Sequence, residues 1–300
     1  MEPQAPEPVV EAVSDPPVQA EPPLNRARRW TALVALIAVV LAGLAFVVFR
    51  GEGPGKGAER PTVPVPDSAI VLAEGEDLAA AAGRLAVGGI VTLGAGRFRL
   101  ADGLVLQRAI RIVGRGPDST VVELVGTRGI EVLEGTPGVE LFGFRVSVAA
   151  GVPAAITTAA GPRFDDLRIE GPGATGEDCG AVGVGILVAG SGKPDIARVT
   201  SAGFCVGLRI TDSAAPIIRG ATVTRNATAI QFMKKAGGSL LDSDISGNRD
   251  GIIVLGGQPT IDNNTIQKNA GFGLKVFRTP VPTLGKRNRI RANGIDVEMP

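Results

Sequence analysis

Apolar positions return with a fixed period over the second half of this 300-residue chain. A small residue followed by apolar-x-apolar opens the same short segment six times: Gly185-Ile186, Gly207-Leu208, Ala229-Ile230, Gly251-Ile252, Gly273-Leu274 and Gly294-Ile295. The steps between these segments are 22, 22, 22, 22 and 21 residues. Alternate apolar side chains are typical of a strand, and a period in the twenties indicates stacked, repeated units.

Each repeat holds two or three short strands that are separated by turns. The repeat that begins at Pro216 contains, in order, Ile218, Ala221, Val223, Asn226 and Ala229-Ile230. A leucine-rich repeat has a similar length, but the present repeats are rich in β-branched residues and lack a helical segment. The pattern therefore predicts a parallel β-helix with one coil per repeat, in which Ile218, Leu240 and Ile261 form one inward row.

Asparagine recurs at one turn of the repeats, as Asn226, Asn248, Asn269 and Asn293. Asn tolerates a positive φ angle and forms hydrogen bonds with neighbouring backbone groups. We therefore expect these residues to make the tight turns between strands.

An insertion interrupts one coil. A coil begins at Pro162 and reaches Gly185 only after an excursion through residues 170–182. Cys179 lies in this insertion, and Cys205 precedes the strand of the adjacent coil. In an exported chain this placement predicts a disulfide that joins the insertion to the next coil, and two free thiols are the alternative.

The N-terminal quarter has a different character. Residues 1–29 are rich in Pro and Glu and are predicted to be a disordered tail, and residues 50–67 are predicted to be a linker. Residues 30–49 carry no charge, and a helix of that length spans the roughly 30 Å hydrocarbon core of a bilayer. They are predicted to be a transmembrane signal anchor, with a cleaved signal peptide or a buried core helix as alternatives.

The charges beside the apolar segment give a weak topological signal. Arg26, Arg28 and Arg29 precede it, whereas the basic residues after it are more spread and mixed with Glu. Together with the fold and the cysteine pair, this favours a single-pass membrane protein with its N-terminus inside. The C-terminal domain is then extracytoplasmic.

The beginning of the domain carries a family resemblance. An Ala-rich stretch to Leu85 is predicted to be a short helix, and Gly88–Leu93, Gly94-Ala95-Gly96-Arg97-Phe98 and a later Gly114-Arg115-Gly116 follow it. This order resembles pectate-lyase-like right-handed β-helix proteins, and the later repeats resemble those of the NosD-like branch. The resemblance covers residues 68–300. It implies an all-β, right-handed, single-stranded parallel β-helix with an N-terminal capping helix, but no particular activity.

Composition restricts the chemistry, because the chain contains neither His nor Tyr. Polygalacturonase-like members of that superfamily use an Asn-Thr-Asp segment, an Asp pair and a Gly-His-Gly segment. Asn248-Arg249-Asp250 partly resembles the Asn-Thr-Asp segment, and Gly176-Glu177-Asp178 faintly resembles the Asp pair. These two lie three predicted coils apart, about 14 Å, which is too far for paired carboxylates. We predict no catalytic residue and no metal or cofactor, with calcium relevant only to a lyase that uses an Arg or Lys base.

Two outward rows are candidate ligand sites. In the first row acids and bases alternate, so several are expected to pair with each other; it contains Asp165, Asp166, Arg168, Arg198, Arg219, Asp242, Asp244 and Asp262. The second row contains Leu187, Arg209, Gln231, Ile253, Lys275 and Asp296. Since one coil spacing is close to the length of a sugar residue, Arg209, Gln231 and Lys275 are predicted to follow an acidic glycan.

The sequence favours a binding or scaffolding protein over an enzyme. Its net charge of +1 and the lack of a basic stripe give no reason to expect nucleic acid. We expect either the 285–293 loop or a partner to cover the C-terminal end of the coils. The leading hypothesis is non-catalytic binding of a polysaccharide or envelope polymer, and a polysaccharide lyase or a protein-interaction module are the alternatives.

Overall fold

The computed structural model describes residues 67–173, 179, 183–278 and 280–300. One helix and twenty-six strands form their regular structure. In chain order the elements are β1 (Asp67–Leu72), α1 (Leu78–Arg84), β2 (Leu85–Leu93), β3 (Gly96–Leu100), β4 (Leu104–Leu106), β5 (Ile110–Val113), β6 (Thr120–Leu124), β7 (Ile130–Val132), β8 (Glu140–Val148), β9 (Ala154–Thr158), β10 (Arg163–Glu170), β11 (Val184–Val188), β12 (Asp195–Ala197), β13 (Thr200–Ala202), β14 (Val206–Ile210), β15 (Ile217–Arg219), β16 (Thr222–Thr224), β17 (Thr228–Phe232), β18 (Ser239–Leu241), β19 (Asp244–Ser246), β20 (Asp250–Val254), β21 (Thr260–Asp262), β22 (Thr265–Gln267), β23 (Phe272–Val276), β24 (Thr283–Leu284), β25 (Arg289–Arg291) and β26 (Ile295–Glu298).

The strands form three parallel stacks that run along a solenoid. Stack 1 is β1-β2-β5-β8-β10-β12-β15-β18-β21-β24. Stack 2 is β3-β6-β8-β10-β13-β16-β19-β22-β25, so the long strands β8 and β10 turn the corner between stacks 1 and 2. Stack 3 is β4-β7-β9-β11-β14-β17-β20-β23-β26. The predicted parallel coils are therefore confirmed.

Inward side chains repeat from coil to coil and form the core. Ile218 pairs with Leu240 and Leu240 with Ile261, so the predicted inward row is in register and fully buried. Branched aliphatic side chains fill such rows well, because each one packs on its equivalent about 4.8 Å away in the next coil.

The recurring asparagines do not take the positive φ that we expected of them. The left-handed residue is the one before each asparagine: Arg225, Gly247, Lys268 and Ala292, with φ between 55° and 67°. The asparagine side chains instead point into the corner between stacks 2 and 3. The Asn226 backbone N–H donates to Asn248 Oδ1 at 3.0 Å, and the Asn248 N–H donates to Asn269 Oδ1 at 3.1 Å. The asparagines form a hydrogen-bonded ladder along the solenoid.

Helix α1 begins at an ordinary N-cap. The Asp77 side chain accepts a hydrogen bond from the Ala80 N–H at 2.9 Å, which satisfies one of the free N–H groups of the first turn. Leu78, Ala81 and Ala82 are buried, and the helix packs against β1, β2 and β3. No helix within the described residues is long and apolar enough to cross a bilayer. The predicted transmembrane segment, residues 30–49, lies outside the described residues.

The last coil differs from two sequence-based expectations, the covering 285–293 loop and the place of Asp296 in the second outward row. Residues 285–293 do not fold across the end of the solenoid, because they contain β25, which pairs in register with β22. Lys275 pairs with Glu298, so Asp296 does not continue the second outward row as predicted. The final coil is longer than the 21-residue step implied, since Leu274 aligns with Val297.

Candidate functional site

The second outward row lies on stack 3 and is less continuous than the sequence suggested. Arg209 pairs with Gln231, and Arg209 Nε donates to Gln231 Oε1 at 2.8 Å. Ile253 follows them and is only 8% exposed, so the polar row stops there. Lys275 Nζ lies 2.8 Å from Glu298 Oε1, and 4.0 and 4.8 Å from the ring centres of Phe272 and Phe277. Lys275 is therefore engaged within the protein and is not brought together with Arg209.

Arg209 is one of several cations of the domain that make no ion pair within the described residues. No carboxylate among the described residues lies within ion-pair distance of its guanidinium, and Gln231 occupies only Nε. Partial burial lowers the pKa of Arg209, although the guanidinium stays charged at neutral pH. A partly desolvated cation with free donors is a suitable contact for an anionic ligand group.

A groove of about 520 Å³ extends from Arg209 towards the N-terminal coils. Its floor is the continuation of the same outward column, because Arg209, Leu187, Thr157, Glu131 and Val105 pair in register. The Arg128 side chain lines the groove at the far end. The groove thus combines apolar surface with a hydroxyl and charges of both signs, which is a usual composition for a small-ligand or glycan site.

The N-terminal half of this groove does not follow from the sequence periodicity. The coils that supply Val105, Glu131 and Thr157 are not spaced by 22 residues, so the periodicity does not align them. One local signal was available: Glu131 is the middle residue of Gly129-Ile130-x-Val132, which has the repeated strand pattern.

The first outward row is used for ion pairs. Asp165 is 2% exposed, and its two carboxylate oxygens lie 2.9 Å from Arg163 and 2.6 Å from Arg198. Arg168 pairs with Asp118 at 2.5 Å, and Asp262 pairs with Arg287 at 2.7 Å. Only the pair of Asp165 and Arg198 joins two members of the predicted row, whereas Arg168 and Asp262 pair with residues outside it. All of these side chains are engaged in ion pairs, so they are poor candidates for ligand contacts.

The remaining acids of that row serve the corners or stand alone. Asp166 and Asp242 both have a φ of 52° and occupy the bend between stacks 1 and 2. Asp242 accepts a hydrogen bond from the Asn263 side chain, and Asp244 points outward on β19 between Thr222 and Thr265. The structure brings Asp242 and Asp244 close to each other, but Asp165 and Arg168 lie on an earlier coil.

The acid once compared with a polygalacturonase motif has a local role. Asp250 accepts hydrogen bonds from the Phe272 N–H at 3.2 Å and from Arg249 Nε at 3.1 Å. It therefore holds the turn of its own coil against the next one. Glu177 and Asp178 lie outside the described residues. Within the described part of the chain, no group of three or more Cys, Asp or Glu side chains could hold a metal ion.

Cys179 and Cys205 form a disulfide with a Cα–Cα distance of 5.0 Å. Cys205 borders a small outward cluster of the buried residues Ala154, Val184 and Val206, against which Leu187 also packs. The disulfide thus ties the insertion to the third stack next to the groove.

Comparisons with known proteins agree with this architecture. Residues 156–298 match the family model described as the right handed beta helix region. The catalytic unit of the thermostable GH87 α-1,3-glucanase from Streptomyces thermodiastaticus strain HF3-3 aligns with a TM-score of 0.52 and 18% identity, over 77% of this chain and 47% of that one. The chain thus spans about half the length of that catalytic unit. The A-module of the Azotobacter vinelandii mannuronan C-5 epimerase AlgE4 gives a TM-score of 0.37 and 17% identity, over 74% and 91%.

The domain is a right-handed parallel β-helix, the fold that the resemblance of its sequence implied. No curated protein sequence matches the chain. Likeness at these identities establishes the fold and leaves the activity to the site itself.

Proposed function

We propose that this protein is a membrane-anchored, extracytoplasmic β-helix protein that binds an acidic polysaccharide without cleaving it. The polysaccharide lies in the groove of stack 3, with one anionic group on Arg209. The observation that carries the proposal is the partly buried Arg209 guanidinium, which has no carboxylate partner among the described residues and opens onto a groove of about 520 Å³.

The electrostatics of Arg209 favour an acidic ligand. A partly desolvated guanidinium loses hydration, and a carboxylate that accepts two of its hydrogen bonds restores that loss. Gln231 fixes Nε, so the terminal nitrogens remain for a bidentate contact. Thr157 and Leu187 offer a hydroxyl and an apolar surface to the sugar ring beside the charge.

The test is a glycan array with the full-length protein, with and without calcium. We expect binding to acidic polymers, and a loss of roughly 1.5–3 kcal/mol in Arg209→Ala, equal to about a 10- to 100-fold weaker Kd. Arg219→Ala is the matched control, because Arg219 also points outward but pairs with Asp195 at 2.9 Å. Equal binding by wild type and Arg209→Ala would reject the groove as the site.

The same samples separate the two other functions. A calcium-dependent rise in absorbance on a polyuronate would identify a lyase, since elimination forms an unsaturated product. A blank array would favour a protein-interaction module, including a partner at the C-terminal end.

The proposed location rests on the uncharged residues 30–49 and on the arginines before them. A C-terminal epitope tag on the full-length protein tests it by protease treatment of intact cells. Loss of the tag without lysis supports an extracytoplasmic domain, and protection of the tag until lysis contradicts it.

A further inference from the structure

Positive charge is concentrated near the end of the domain. Residues 278–291 contain five Lys or Arg and no Asp or Glu, whereas the rest of residues 67–300 contains 20 Lys or Arg and 23 Asp or Glu. The last coil is thus cationic on a domain that is otherwise slightly acidic. The near-zero net charge of the whole chain conceals this asymmetry, and the sequence-based statement that the chain lacks a basic stripe was wrong for this segment.

Arg289 and Arg291 present this charge on one side of the solenoid. They alternate on β25, with Ile290 between them packing against the core, so their Cβ atoms lie about 6.6 Å apart on the outer face. They pair in register with Thr265 and Gln267 on the preceding coil. Both arginines are exposed, and neither has an ion-pair partner among the described residues.

Two further exposed cations lie next to β25 in the fold or in the chain. Lys268 is exposed at the corner after β22, and Lys286 is exposed just before β25. Arg287 is different, because Asp262 holds it through contacts of 2.7 and 3.2 Å. We call Lys268, Lys286, Arg289 and Arg291 the basic strip.

We propose that the basic strip is a second binding site, for an anionic polysaccharide that carries closely spaced carboxylate or sulfate groups. Guanidinium groups match such oxyanions with paired hydrogen bonds, and adjacent arginines can take successive anionic groups. Thr265 and Gln267 add hydrogen-bonding groups next to them. This site lies on stack 2 and does not depend on the groove of stack 3.

The makeup of the strip favours a polysaccharide over two other polyanions. It contains no aromatic side chain on which single-stranded bases could stack. The outer face of β25 is polar, because the strand alternation turns Ile290 inward, whereas an interfacial membrane site inserts apolar side chains between headgroups.

The test measures binding of full-length protein to polygalacturonate and to dextran sulfate, with neutral dextran as the reference. We expect binding to both anionic polymers that weakens strongly between low and moderate salt, since exposed charges are screened. In an Arg209→Ala background, which removes the contribution of the groove, Arg289→Glu/Arg291→Glu is expected to weaken the remaining binding at least about tenfold.

Lys193→Glu/Lys235→Glu is the matched control, because it makes the same change in net charge at two exposed lysines of other turns. Circular dichroism checks folding, and Arg289→Gln/Arg291→Gln replaces the reversal if that variant unfolds. Equal loss of binding in the control would reduce the effect to net charge and overturn the proposal. Unchanged binding in the strip variants, or binding only to RNA or to anionic vesicles, would overturn it as well.

Discussion

The asparagine ladder allows a sharp test of what stabilises the solenoid, and Asn248 is its central member. Asn248 is 3% exposed. Its Oδ1 accepts the Asn226 backbone N–H at 3.0 Å, and its Nδ2 donates to the Val223 carbonyl at 2.9 Å. Its Nδ2 also donates to Asn269 Oδ1 at 3.1 Å. Its Oδ1 also accepts a hydrogen bond from Asn226 Nδ2 at 3.1 Å, and its Nδ2 donates to the Ser246 carbonyl at 3.2 Å. Replacing this side chain with Ala removes all five contacts at once.

The cost follows from the groups that remain. In Asn248→Ala the buried Asn226 N–H loses its acceptor and the Val223 carbonyl loses its side-chain donor. The buried N–H left without a partner costs about 1–3 kcal/mol and each further hydrogen bond lost about 0.5–1.5 kcal/mol, so we expect the free energy of unfolding to fall by about 2–6 kcal/mol. That is a large part of the stability of an ordinary domain.

Two measurements check this prediction. Urea unfolding followed by circular dichroism gives the global loss, and Gln258→Ala is the control because Gln258 is an exposed amide outside the ladder. Hydrogen exchange gives the local effect: the Asn226 amide should exchange faster, whereas the Phe204 amide, bonded to Asn226 Oδ1 at 2.9 Å, should keep more of its protection.

One result would refute the reasoning. If Asn248→Ala were no less stable than Gln258→Ala, and the Asn226 amide exchanged as in the wild type, the ladder would contribute no net stability. The apolar rows alone would then have to hold the coils together.

Three further predictions concern other parts of the solenoid. Cys205→Ala removes the disulfide and should lower the free energy of unfolding by about 2–4 kcal/mol, since the disulfide joins residues 26 positions apart. A reductant should likewise lower the melting temperature of the wild type. Hydrogen bonds from Arg97 and then Arg99 hold the pKa of Glu123 below its ordinary value of 4.5, so their contribution to stability is present above about pH 4.5 and is lost as the pH falls through the folded-state pKa. In a plot of unfolding free energy against pH, Glu123→Gln should therefore flatten the decline on the acid side, and an unchanged decline would contradict the assignment. A Cβ at Gly251 would clash with a backbone carbonyl of the next coil, so Gly251→Val should cost about 1–3 kcal/mol in urea unfolding, and a neutral effect would show that the coils separate easily.

The fold could be predicted because its information is local and repeated. A strand that buries one face needs alternate apolar residues, and a solenoid needs the same alternation in every coil, so Ile218, Leu240 and Ile261 align by counting alone. The role of Asn226 could not be obtained in this way. Its partner is the equivalent residue of the next coil, and only the stacked structure shows that the neighbouring Arg225 takes the left-handed conformation.

The candidate site was harder to predict because it depends on contacts between coils. Counting placed Arg209, Gln231 and Lys275 in one row and was correct about the row. The ion pair between Lys275 and Glu298 did not follow from the repeat length, because the last coil is longer than the predicted 21 residues. The sequence pattern therefore placed Asp296 beside Lys275, where the structure has Glu298. A single uneven step shifts the register of all outward side chains in that coil.

These outcomes point to a general feature of charges on a β-solenoid. In-register stacking places outward side chains about 4.8 Å apart along the solenoid, so opposite charges on neighbouring coils form ion pairs within the protein. Such paired charges are not available to a ligand. Asp195 with Arg219 and Asp212 with Lys234 are such pairs, one coil apart. A cation without a carboxylate partner in the described part of the chain, such as Arg209, Arg289 or Arg291, keeps donors available for a ligand. The absence of pairing, more than the presence of charge, is therefore the better guide to where such a domain binds an anionic partner.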